Sequence, residues 1–184
     1  ISHELNKSLS RISSLAHPSY DLTRRGDLER IATVFGSIGE RAKHLHGFIG
    51  GYASFAKLPA PRLEPVAWRD FLDGLGEHQH FVIDGPVPDG HGRFDRPQLE
   101  QVLINLLRNA HEAGGPAEAV SLSVRKVAAD WRIEVRDAGP GMSEAVLANA
   151  LLPFDSTKRS GTGLGLALAR EITEAHGGRI TLGN

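Results

Sequence analysis

Residues 153–178 read "PFDSTKRSGTGLGLALAREITEAHGG", and this stretch decides what kind of fold the chain adopts. Gly161, Gly163 and Gly165 alternate with Thr162 and Leu164, and an amphipathic helical pattern follows at once. Glycines free the backbone just where a helix begins. There the unpaired N–H groups and the positive end of the helix dipole attract anions. The spacing G-T-G-L-G is neither G-x-G-x-x-G nor G-x-x-x-x-G-K-[ST], which excludes the dinucleotide fingerprint and the P-loop. Just upstream, "LLPFDSTKRS" suits a lid over a ligand, with Lys158 able to reach a phosphate. A polar surface loop is the plain alternative for Lys158, and it is the one assigned to Arg159.

A second glycine motif, "RDAGPGM" (136–142), follows the alternation Trp131, Ile133, Val135 of a strand. Asp137 at the strand end, beside Gly139 and Gly141, can accept hydrogen bonds from an amine-bearing ring while the backbone comes close. Taken alone, D-x-G-x-G is also a common turn. Upstream lies a helix over roughly 96–113, with Asp95 as N-cap, Pro97 in the first turn and Gln98 as a capping-box partner. Leu99, Val102, Leu103, Leu106, Leu107 and Ala110 share one side of it. Gln101, Asn105, Asn109 and Glu112 share the other. That row of side-chain oxygens suits Mg²⁺, with phosphates supplying most of the negative charge; a solvated polar face is the alternative. His111 faces away from the row and is expected to be structural.

The remaining pattern falls into two halves. Leu28, Ile31, Phe35, Ile38, Ala42, Leu45, Ile49, Tyr52 and Ala56 alternate in steps of three and four, a heptad seam. Leu5, Leu9, Ile12 and Ala16 follow the same rule in an earlier helix, with His17-Pro18 and "SYDLTRRGD" as the break. A lone hairpin cannot cover its own seam, so dimerisation into a four-helix bundle is its natural completion. "KLPAPRLEPVAW" (57–68) reads as an extended linker. Beyond it, strands are expected at 64–68, 80–84, 119–127, 131–137 and 179–183, and helices at 96–113, 143–151 and 163–176. The expected class is α+β: residues 1–57 an antiparallel helical hairpin forming a dimeric bundle, residues 58–184 an α/β sandwich with a mixed sheet.

Bulk composition narrows the partners. A net charge of −1 supplies no basic field for nucleic acid. With no cysteine there is neither a disulfide framework nor a thiolate metal site. No run approaches the ~18 apolar residues of a membrane helix, so no membrane contact is expected from this stretch. The chain opens at "ISHEL" without Met and stops at "ITLGN" as a strand is expected to begin, so it reads as a fragment. The expected setting is cytoplasmic, with any membrane anchor upstream.

Taken in order, "SHELNKSL", "QVLINLLRNAHEA", "DAGPGM", "PFDSTK" and "GTGLGLAL" are similar to the kinase core of a bacterial sensor histidine kinase, nitrogen-regulation-like subgroup. The resemblance covers essentially the whole chain. It implies a dimerisation and phosphotransfer hairpin followed by an ATP-binding domain of the fold shared with DNA gyrase, a class of heat-shock chaperones and MutL. His3 then resembles the phospho-acceptor and Glu4 its acid/base partner. Asn109 resembles the Mg²⁺ ligand and Asn105 its neighbour on the phosphate side. Asp137 resembles the adenine-reading carboxylate, with Gly139 and Gly141 beside it. Phe154 and Lys158 belong to the lid, and Gly161, Thr162, Gly163, Leu164 and Gly165 to the phosphate-side turn. The implied ligands are ATP and Mg²⁺, and the implied partners a second copy of the chain and a response-regulator receiver domain.

Three positions depart from the family pattern. Lys7 stands where an Asn or Thr usually orients water to dephosphorylate the regulator, Ser8 where Pro often bends the helix, and Asp155 where an aromatic lid residue is common. Rival readings are an ATPase or serine kinase of the same fold, and a dimeric nucleotide-binding scaffold or pseudokinase. In ATPase relatives the position matching Asn105 is a Glu that activates water, and an amide cannot take that proton.

Overall fold

The computed structural model describes residues 2–16, 28–56, 58–153 and 163–184. Helices α1 (Ser2–Ala16) and α2 (Leu28–Ala56) follow the heptad pattern and pack against each other. The apolar seam is only partly covered within one chain: Leu28 is 77 % exposed, Phe35 63 % and Leu9 53 %.

The second half alternates strands and helices: β1 (Glu64–Ala67), α3 (Trp68–Gly76), β2 (Val82–Ile83), β3 (His91–Phe94), α4 (Arg96–Glu112), β4 (Ser121–Val127), β5 (Asp130–Arg136), α5 (Glu144–Asn149) and α6 (Gly165–Ala175). A 3-10 turn, Ala117–Ala119, precedes β4. The sheet β2-β4-β5 is mixed, with β2 parallel to β4 and β5 antiparallel to it. β1 and β3 form a separate antiparallel pair, Glu64 opposite Phe94 and Ala67 opposite His91.

Helix α4 is the centre of this half because apolar side chains leave it in two directions. Leu103, Leu107 and Ala110 enter a core with Trp68, Phe71, Leu72, Leu75, Phe94, Leu122 and Val124. Val102 joins Leu168, Ala169 and Ile172 of α6, and Leu99 and Leu106 touch both clusters. Aromatic rings brace the first core, with Trp68 and Phe94 centroids 5.0 Å apart and those of Phe71 and Phe94 5.1 Å. A Cβ at Gly92 would stand 2.7 Å from both Trp68 and Phe94, so only glycine lets β3 pass beneath the indole.

Four expectations need correction. Trp68 starts a helix rather than ending a strand, because Trp68, Phe71, Leu72 and Leu75 fall on one helical face and are all buried. Strand β3 carries only Gly92 and Phe94 inward, too little apolar pattern to announce it. Residues 179–183 form no strand: they have no ladder partner among the described residues, despite the alternation Ile180, Leu182. The capping box at α4 is half made. Asp95 Oδ1 accepts from Gln98 N–H at 3.1 Å, but Gln98 Nε2 donates to the Pro59 carbonyl at 2.9 Å instead of returning to Asp95.

Candidate functional site

The candidate residues of the second half line up along α4. Asn105 points away from the aromatic core and is nevertheless 4 % exposed. Its Oδ1 takes a long contact from Arg108 Nη2 at 3.5 Å, while its buried Nδ2 has no hydrogen-bond partner among the described residues. A buried amide donor without an acceptor costs about 1–3 kcal/mol, so this one suits an acceptor-rich ligand. The Oδ1 side of the carboxamide meets the start of α6: a Cβ on Gly165 would lie 3.5 Å from Asn105 Oδ1 and 3.7 Å from Arg108 Nη2. Gly163 is in the left-handed region at φ +66°, and Leu164 at the N-cap brings no polar side chain to the first turn. Asn109, one turn along α4, is half-buried on the same side.

The other end of the row is the turn after β5. Asp137 is exposed, and its Oδ1 accepts the Gly139 N–H at 2.8 Å, which sets the carboxylate's orientation. A Cβ on Gly139 would stand 2.6 Å from Ala113 Cβ, so the turn is seated directly on the C-terminal end of α4. Gly141 is in the left-handed region at φ +74°. From Asn105 to Ala113 is about 12 Å of helix at 1.5 Å per residue.

Charges nearby are already engaged. Arg136, next to Asp137, donates to Glu134 Oε1 at 3.1 Å and stands 3.9 Å from Asp84 Oδ2. Its hydrogen bond, with that of Arg125 at 2.6 Å, holds the Glu134 carboxyl below the ordinary carboxylate range. At the far end of α4, the Arg62 backbone N–H at 2.9 Å does the same for Asp95. His111 lies off the row, with Nε2 2.7 Å from the His80 carbonyl. Among the described residues no three His, Asp or Glu side chains cluster as a metal site.

Residues 94–184 match the model of the histidine kinase-, DNA gyrase B- and HSP90-like ATPase family. The C4-dicarboxylate transport sensor protein DctS of Rhodobacter capsulatus is 34 % identical over 203 residues, covering 100 % of this chain and 30 % of that protein. The sensor protein FixL of Bradyrhizobium diazoefficiens is 46 % identical over 196 residues, covering 98 % of this chain and 39 % of FixL. The chain belongs to the sensor histidine kinase family. It spans between three and four tenths of the length of these relatives. The histidine kinase ThkA, solved in complex with the response regulator protein TrrA, shares the fold at a TM-score of 0.71 and 19 % identity, over 100 % of this chain and 55 % of ThkA's.

The structure brings Gly165 beside Asn105 on α4, with Gly163 and Leu164 leading into it and Asn109 one turn along the helix, and seats Gly139, which orients Asp137, on the end of α4. Gly141 lies against Asn184 instead. His3, Glu4, Lys7 and Ser8 lie in α1, whose side chains at these positions are outside the described residues. Phe154, Asp155, Lys158, Arg159, Gly161 and Thr162 also lie outside them. No helix of the described residues is long and apolar enough to cross a membrane. Sequence reasoning missed Arg108, although its place between Asn105 and Asn109 was visible.

Proposed function

We propose that the chain binds ATP along α4, transfers its γ-phosphoryl group to His3, and passes that group to an aspartate of a response regulator. The observation that carries this is the buried Asn105 carboxamide, whose donor is unpartnered and whose Oδ1 lies beside Gly165 at the glycine-rich start of α6, with Asp137 held at the other end of the same helix. The roughly 12 Å of helix from Asn105 to Ala113, on which the Asp137 turn is seated, leaves room for a nucleoside triphosphate. Asp137 would accept the exocyclic amine of adenine, and Asn105 and the first N–H groups of α6 would take phosphate oxygens. Asn109 would hold Mg²⁺, which when bound offsets phosphate charge and aligns the triphosphate.

In this scheme residues 1–57 are the phosphotransfer hairpin and 58–184 the ATP-binding domain. The exposed seam of Leu9, Leu28 and Phe35 would close against a second copy to form a homodimeric four-helix bundle. One nitrogen of neutral His3 attacks the γ-phosphorus as the bond to the bridging oxygen breaks and ADP leaves. Glu4 accepts the proton from the other ring nitrogen. Residues 154–162, with Phe154 and Lys158, would close over the nucleotide, Thr162 ending that segment at the phosphate-side turn. The enzyme would thus be a protein-histidine kinase acting in a two-component pair, the receiver docking on the hairpin near His3. ThkA is a relative in fold that was captured with such a regulator.

Water activation has no candidate at Asn105, because its amide takes no proton, and this disfavours the ATPase reading. Calorimetric titration with MgATP, run beside a phosphate-release assay, tests the proposal. Wild type should bind ATP, Asp137→Asn should bind about tenfold or more weakly for the loss of a charge-assisted acceptor, and steady phosphate release should be negligible. A wild-type chain that binds no ATP, or that releases phosphate catalytically while staying unlabelled, would overturn it.

A further inference from the structure

Among the described residues, 179–184 pair with no strand, yet Asn184 is fastened. Asn184 Oδ1 accepts the Met142 N–H at 2.8 Å, and Asn184 Nδ2 donates to the Met142 carbonyl at 2.7 Å. One carboxamide thereby satisfies both backbone groups of one residue, as a facing residue of an antiparallel strand would. Met142 directly follows Gly141, and a Cβ on Gly141 would stand 2.8 Å from Asn184 Oδ1 and 3.0 Å from its Cγ. The carboxamide is thus laid against a bare α-carbon, which is itself in the left-handed region. After Met142 comes Ser143, whose hydroxyl caps α5 by accepting the Val146 N–H at 3.4 Å.

We propose that Asn184 is a positioning residue for nucleotide binding. It clamps Met142 so that the arc 137–142 presents the Asp137 carboxylate in one orientation. The inference rests on the ATP-site reading of Asp137. Strand β5 holds the arc at one end. Within it, Gly139 and Gly141 leave the backbone free to rotate, and Asp137 Oδ1 depends on the Gly139 N–H for its direction. Without the clamp the arc keeps its seat on Ala113 at Gly139 and, among the described residues, the Ser143 cap at its far end, and ordering the Gly141–Met142 part falls more to the ligand. The effect on binding should therefore exceed the effect on folding, and it should appear most clearly where the base is read.

The test compares Asn184→Ala, Asn184→Asp and Asn184→Gln in this chain, measuring ATP and GTP dissociation constants, thermal midpoint and hydrogen exchange of the Met142 amide. Alanine removes both bonds. Aspartate sets an oxygen against the Met142 carbonyl, and glutamine keeps donor and acceptor one methylene further out. For Ala and Asp, ATP affinity is expected to fall about three- to tenfold, with reduced preference for ATP over GTP, little change in melting and faster Met142 exchange. Gln should fall in between. Variants whose Met142 amide exchanges faster while ATP affinity and the ATP/GTP ratio stay at wild-type values would overturn the clamp and leave the ATP site standing. So would variants that only melt earlier. A wild-type chain that binds no adenine nucleotide would instead remove the site itself, and the clamp's role with it.

Discussion

The backbone N–H of Asp95 donates to Nε2 of His176 at 3.1 Å, across 81 residues of sequence. His176 Nδ1 stands 2.7 Å from the Ile172 carbonyl. A carbonyl only accepts and an amide N–H only donates, so the ring is neutral with its proton on Nδ1. This ring ties the C-terminal end of α6 to the N-cap of α4. The Asp95 carboxylate meanwhile receives Arg62 and Gln98 N–H groups at 2.9 and 3.1 Å, and Gln98 holds Pro59. The segment leaving the hairpin is thus fastened to the N-terminal end of α4, which the His176 ring in turn ties to α6.

Replacing His176 with Phe keeps a ring but neither bond. The loss should be about 1–3 kcal/mol from two hydrogen bonds, one of which leaves a part-buried N–H unmade. Urea denaturation of His176→Phe measures it, and a variant as stable as wild type would mean the strap carries no net stability.

Asp95 sets a pH dependence. The Arg62 N–H, above all, lowers its pKa in the folded chain, with the Gln98 N–H and the positive charge of Arg62 acting in the same direction against the opposing effect of burial. A depressed folded pKa makes the carboxylate's stabilisation complete above the unfolded value of about 3.9, and it is lost as pH falls through the folded pKa. Asp95→Asn should therefore be less stable than wild type at neutral pH, with the gap narrowing as pH drops below about 4. Denaturation midpoints across that range test the sign.

Gly139→Ala should damage the site more than the fold. Its new methyl would meet Ala113 Cβ at 2.6 Å and the Ala113 carbonyl at 3.0 Å, displacing the turn that carries Asp137. Overpacking of this kind costs about 1–3 kcal/mol. ATP affinity, read by calorimetry beside a melting curve, should fall by about tenfold or more.

Leu107 lies between Asn105 and Asn109 but faces the aromatic core with no exposed surface. Leu107→Ala should destabilise by about 2–5 kcal/mol through a cavity beneath the helix. Guanidinium denaturation provides the check.

What sequence pattern could reveal follows from range. Helix α4 was legible because Asp95, Pro97 and Gln98 are local signals and Leu99 to Ala110 repeat at helical spacing. Helix α3 was hidden by brevity and by Gly74 and Gly76, although Trp68, Phe71, Leu72 and Leu75 carry the helical spacing. Strand β3 reads only as "HGRF", and its existence depends on backbone pairing with β1. The His176–Asp95 and Asn184–Met142 contacts join residues 81 and 42 apart, which no local period reports. Asn105 was visible as an oxygen-bearing side chain, but its burial became apparent only once α6 packed over it.

Transfer of the γ-phosphoryl group to a nitrogen of His3 is open to chemical mapping of the label that γ-labelled ATP leaves on the chain. The predicted result is a label stable to alkali and labile to acid, located on His3 and absent from His3→Gln, which still binds ATP as tightly as wild type. A label that persists undiminished in His3→Gln, or that alkali removes, would contradict it.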